Sequence, residues 1–211
     1  SGGTITDTNG STVTVQGTLT ATTDASASAI TLNDLAVDGA LTLAPDGTGA
    51  VTIVNDAGLN LAASTMGGTF SGTATTGNIT QTGALDIEGV TTLVTTAQLA
   101  TIDLLTNGSG NAFTSQLLIT TNDSNTPNDG TYAANVSVDG GTTNLILGNS
   151  TIDGNLTLLS GGTITDTDSS TVTVKGTLSA TTDASASAIT LNDLAVTGAF
   201  TLAPDDTGAV T

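Results

Sequence analysis

The first 52 residues of this chain return almost unchanged at its other end. Residues 1–52, opening SGGTITDT, recur at 160–211 with 45 identities in 52 aligned positions, an offset of 159. A stack of units that touch only their neighbours can grow by such duplication, whereas a single globular core cannot. The second copy stops at Thr211, the counterpart of Thr52, inside an alternating apolar stretch that the first copy continues as VTIVNDAGLNLA. The chain is therefore read as one full repeat, 1–159, and the start of the next, 160–211, cut from something longer. Its opening Ser1-Gly2-Gly3, with no Met and no signal peptide, suits a processed product or a fragment.

The seven differences between the copies act as an internal experiment. Asn9/Asp168, Gly10/Ser169 and Gly47/Asp206 fall in turn-like sequence, and Gln16/Lys175, Thr20/Ser179 and Asp38/Thr197 suit solvated positions. Only Leu41/Phe200 changes a large apolar residue. Turns and outer faces drift while the apolar pattern holds.

That pattern has a period of two. Short runs such as TVTV at 12–15, AITL at 29–32, ALTL at 40–43, NITQ at 78–81 and NLTL at 155–158 alternate aliphatics with Thr, Asn or Asp, and Gly or Asp-Gly separates them. The nearest approach to a helical period is TTAQLATIDLL at 95–105. The chain reads as all-β. Three Phe and one Tyr are too few rings for an ordinary compact core. Short strands, few aromatics and near-identical units point instead to a β-solenoid, in which inward Val, Ile and Leu stack into a narrow ladder. With a coil of roughly 20 residues, the 159-residue repeat would make about eight coils, and at about 4.8 Å each about 38 Å of rod. The rival architecture is an array of small β-sandwich domains, whose strands run longer and whose core side chains are larger.

Composition closes off most chemistry. With no His and no Cys, imidazole and thiolate catalysis, His-based metal sites and disulfides are absent. A net charge of −18 with a single basic residue, Lys175, disfavours nucleic acid and anionic membrane as partners. No run approaches the ~20 apolar residues of a membrane span. Charged residues are only 9% and aliphatics are evenly spread, unlike a disordered acidic tail.

The runs GNITQTGALDIEGVTTLVTTAQ (77–98), STIDGNLTLLSGGTITDT (150–167) and AITLNDLAVDGALTL (29–43) resemble the giant β-strand-repeat bacterial surface proteins of the filamentous-haemagglutinin type. That resemblance implies a right-handed parallel β-helix, secretion, and a place in an extracellular stalk or fibre at the cell surface. GALTLAPDGTGAVTI (39–53) is also similar to viral tail-fibre shafts, which are typically trimers.

Candidate sites are few. The segment TNDSNTPNDGTY (121–132) reads as a loop inserted at 121–131; Asp123, Asn125, Asn128 and Asp129 are candidate oxygen ligands for a weak calcium site, although the spacing is not that of an EF-hand. No other cofactor is expected. Seven Asn-x-Ser/Thr sequons are close to what chance supplies in so Thr-rich a chain. Lys175, opposite Gln16 in the other copy, reads as solvated, and Tyr132 as packing beside the loop. Asp205-Asp206 is the only adjacent carboxylate pair; Gly47 replaces one member in the first copy, so no enzyme is expected. The function expected is mechanical: a non-catalytic shaft module whose partners are its own neighbouring repeats or copies. The alternative from another class is an adhesive module gripping a glycan or protein.

Overall fold

A computed structural model describes residues 1–8, 10–123 and 133–211. The described residues wind through nine coils, and every pairing among them between strands of successive coils is parallel, from Ile5 against Ile30 to Leu178 against Phe200. Antiparallel sandwich domains are thereby excluded. Among the described residues the one short 3-10 turn is Gly108–Gly110, and the stretch at 95–105, nearest to a helical period, enters strands Thr91–Gln98 and Ile102–Leu104. Among the described residues no helix is long and apolar enough to cross a membrane.

Seven of the nine coils are three-sided, with one long strand and two short ones, and the long side changes place along the rod. In coils 3 and 4 the long strands Val51–Asn55 and Phe70–Ala74 lie in one large sheet, here sheet A; the long Thr91–Gln98 of coil 5 joins them. The short strands of these coils form sheets B and C, for example Ile79–Gln81 and Leu85–Ile87. In coils 7 and 8 the arrangement is reversed. There the short strands Leu145–Leu147, Ser150–Ile152, Ile164–Asp166 and Val172–Val174 share sheet A, and the long Leu156–Ser160 and Leu178–Thr182 lie in sheet B. Coils 1 and 9 follow the second plan, with Leu19–Thr22 and Phe200–Ala203 in sheet B. Coil 2 (Ile30–Val37, Ala40–Ala44) and coil 6 (Gln116–Asn122, Val136–Asp139) carry long strands in both sheets.

Where a long side stacks on two short ones, a corner interrupts the backbone ladder, and a side chain supplies the missing bond. Ser64 Oγ accepts from Leu43 N at 2.9 Å, and Ser150 Oγ accepts from Ile119 N at 3.1 Å. Asn55, fully buried, accepts from Val37 N at 2.8 Å and donates to Val37 O at 2.9 Å, imitating a strand neighbour. Such substitutes matter because a buried amide left unpaired costs about 1–3 kcal/mol.

The 159-residue repeat advances seven coils rather than eight: seven steps along sheet A separate Ile5–Thr6 from Ile164–Asp166. Coils are longer than a minimal one because their corners take three to seven residues in many places, and 30 residues separate Leu117 from its partner Leu147. At about 4.8 Å per coil the repeat spans about 34 Å.

Inside, Ile30, Val51, Phe70, Thr91, Leu117 and Leu147 stack in register, all buried. Phe70 fits this narrow interior because Gly72, two residues on and also inward, has no side chain; a Cβ there would sit 2.8 Å from the Phe70 ring. Outside, sheet A carries two columns that are half-buried to exposed. One runs Thr6, Thr31, Thr52, Ser71, Thr92, Leu118; the other Val54, Thr73, Val94, Thr120, Thr151, Thr173.

Candidate functional site

The corners hold the polar chemistry, and most of it faces the next coil rather than solvent. Five asparagines act as struts: the side-chain oxygens of Asn78, Asn135, Asn144, Asn149 and Asn155 accept from the backbone N–H of Thr101, Asn155, Thr163, Thr171 and Thr177, at 2.8–2.9 Å. Four of the five head a sequon, so these asparagines have a structural use that their count did not reveal. Aspartates do the same: Asp7 Oδ2 accepts from Asp34 N at 2.7 Å, and the equivalent Asp166 accepts from Asp193 N at 2.8 Å.

Of the four residues expected to form a calcium site, Asp123 is described and buried; Asn125, Asn128, Asp129 and the neighbouring Tyr132 lie outside the described residues. What Asp123 does join is a charged corner spanning three coils. Its backbone N–H donates to Asp153 Oδ2 at 3.0 Å, and Asp153 N donates to Thr121 Oγ1 at 2.9 Å. Lys175 Nζ stands 3.0 Å from Asp153 Oδ1, which makes no hydrogen bond, so the ammonium is that buried oxygen's compensation. Lys175 was expected to be simply solvated; its side chain is 40% exposed and ion-paired. Among the described residues no group of three or more carboxylates converges as a metal site would require.

A groove of about 270 Å³ opens between coils 1 and 4, lined by Thr12, Asn33, Asp34, Leu35, Val54, Asp56 and Thr75. Its carboxylates are engaged: Asp34 accepts from Gly10 N at 3.0 Å and Asp56 from Thr75 Oγ1 at 2.7 Å. Asp205 and Asp206 sit in a turn; Asp205 N donates to Thr182 Oγ1 at 3.0 Å, and Asp206 adopts a left-handed φ of 47°.

One polar cluster escaped the sequence altogether. Gln81 and Asn111, both buried, exchange two amide hydrogen bonds of 3.0 Å; Asn111 also accepts from Leu85 N and donates to Asp139 O. Neither residue stands out in sequence, because 30 residues separate them and only coil stacking brings them together.

Stacked parallel coils with inter-coil struts define a β-solenoid repeat protein. The chain belongs to the family of repeats of unknown function DUF5649, whose model matches residues 48–120 and again 133–203. No curated protein and no solved structure matches the chain. Nothing in these findings ties it to filamentous haemagglutinins in particular. The two matched segments coincide with the two plans of the coil. The first opens at the long Val51–Asn55 in sheet A and the second at Val136–Asp139 in sheet B. Each continues as short, short, long, so the family unit is one run of strands laid down twice, one side out of phase.

Proposed function

We propose that this chain is a shaft module of a secreted extracellular filament at a cell surface, with a mechanical and non-catalytic role. The observation that carries the reading is the closure of the repeat. After seven coils the second copy enters sheet A and sheet B in the same places as the first and pairs with the following coil in the same register, so units add end to end. Stability then accumulates coil by coil, and the rod has no size at which it is complete. The side chains best suited to chemistry, the corner carboxylates and amides, are instead spent on neighbouring coils. The acidic charge keeps separate shafts soluble.

Antibodies raised against residues 160–211 test this reading on intact source cells. Label distributed along fibres outside the cell supports it. Label confined to the cell interior, or to a compact particle, contradicts it.

A further inference from the structure

We propose that the outward face of sheet A is a surface on which two copies of this chain lie side by side. This goes beyond the shaft reading and does not depend on it. The chain has 19 acidic residues and one lysine, so two copies repel wherever charge meets charge. Yet the two outward columns of sheet A, one from Thr6 in coil 1 to Leu118 in coil 6 and the other from Val54 in coil 3 to Thr173 in coil 8, contain no charged residue. The other sides are interrupted: Asp103 lies within Ile102–Leu104 of sheet B, and Asp86, exposed, within Leu85–Ile87 of sheet C.

The acids that do fall in strands of sheet A are turned to backbone. Asp34 accepts from Gly10 N at 3.0 Å, and Asp166 from Asn192 N and Asp193 N at 3.1 and 2.8 Å. Exposed Asp56 borders the face and accepts from Thr75 Oγ1. The columns themselves are mostly Thr and Val, stiff side chains that lose little rotamer entropy on contact.

Size sets the strength. Seven coil steps at about 4.8 Å, across a strand of five residues at about 3.3 Å each, give about 550 Å² per copy. The total of about 1,100 Å² lies at the small end of specific interfaces. Association is therefore weak, concentration-dependent and isologous. Because like charges flank a neutral contact, it tightens as salt is raised, the opposite of an interface held by ion pairs.

Sedimentation velocity of the whole chain over a concentration series tests this, at low salt and at about 1 M, where the Debye length is about 3 Å. The expected result is a monomer–dimer equilibrium that shifts to dimer at high salt. The double variant Thr73→Glu/Thr120→Glu, placed away from both end coils, weakens it at least about tenfold, a free-energy change of about 1.4 kcal/mol. The control Thr80→Glu/Thr157→Glu on sheet B leaves it unchanged. Thr120→Glu alone, at an exposed position, repeats the test if the double variant loses its β-sheet circular dichroism. A monomer at every concentration and salt overturns the proposal; if that monomer shapes growing ice crystals, the hydroxyl columns belong to an ordered-water lattice instead. Dimerisation that survives both face variants, or that both doubles weaken equally, overturns it too.

Discussion

Residues 1–52 and 160–211 are nearly the same sequence and pair in the same registers, although Ile30–Val37 is one strand and its counterpart is two, Ile189–Thr190 and Leu194–Val196; their side chains, however, are buried differently. Val13 is 39% exposed and its counterpart Val172 is fully buried; Leu41 is fully buried and its counterpart Phe200 is 62% exposed. The first copy has a neighbour only on one side of its opening coil, and the second only on one side of its closing coil. Leu41 is covered by Leu61 of the next coil, whereas Phe200 meets Leu178 and, in this chain, no further coil. Burial here is a property of the stack and not of the coil. An aliphatic contributes its stability only when it has a partner above and below.

The sharpest test substitutes one position in both copies. Leu41→Ala is expected to cost about 2–5 kcal/mol, and Phe200→Ala to stay within about 0.5 kcal/mol. Native-state hydrogen exchange reads each locally, since a repeat array need not unfold in one step. Equal costs at the two sites would break the comparison. The same logic runs the other way at the opposite end: Val172→Ala should cost about 1–3 kcal/mol and Val13→Ala well under 1.

Two of the seven differences are stacked on one corner. Lys175 and Thr197 occupy successive coils, as Gln16 and Asp38 do in the first copy. Converting Lys175→Gln leaves Asp153 Oδ1 buried with no cation. The expected loss is about 1–2 kcal/mol, held down because the lysine is partly exposed. Adding Asp153→Asn should recover most of it, and a double-mutant cycle by urea denaturation gives the coupling. Additive effects would show that the ion pair carries nothing.

The smallest effects concern backbone. Gly10 and Gly47 have φ of 81° and 54°, and their replacements Ser169 and Asp206 hold the same left-handed turns at 77° and 47°. Ser169→Gly and Asp206→Gly should each stabilise by a few tenths to about 1 kcal/mol, by removing the strain of a side chain in that region. A shift of the urea midpoint to lower concentration would contradict this.

The alternation in TVTV and NLTL made strands, inward aliphatics and the solenoid legible, since period two is local. The drift of turn residues was legible too, and the structure gives Gly10 and Gly47 the positive φ that explains it. The coil count was not, because corner lengths vary. The alternation of the long side is not marked in the sequence either: in seven of the nine coils a glycine stands two residues before the long strand, as Gly68 and Gly176 do, but glycine stands equally before short strands, as Gly77, Gly83 and Gly162 do. Close approach is the reason for the glycine; a Cβ on Gly198 would lie 2.5 Å from Gly176 O in the coil before. The Asp153–Lys175 pair and the Gln81–Asn111 pair could not be read at all, because each joins residues whose proximity exists only once coils of unequal length are stacked. Of the expected calcium ligands, only Asp123 falls among the described residues, and its backbone N–H bonds the Asp153 carboxylate.

The central claim is that one 159-residue unit is seven parallel coils. Cryo-electron microscopy of chains carrying one, two and three such units measures it directly. The account predicts a slim rod with an axial spacing of about 4.8 Å that lengthens by about 34 Å per unit. A beaded chain without that axial spacing, or a length that does not grow in proportion to unit number, would contradict it.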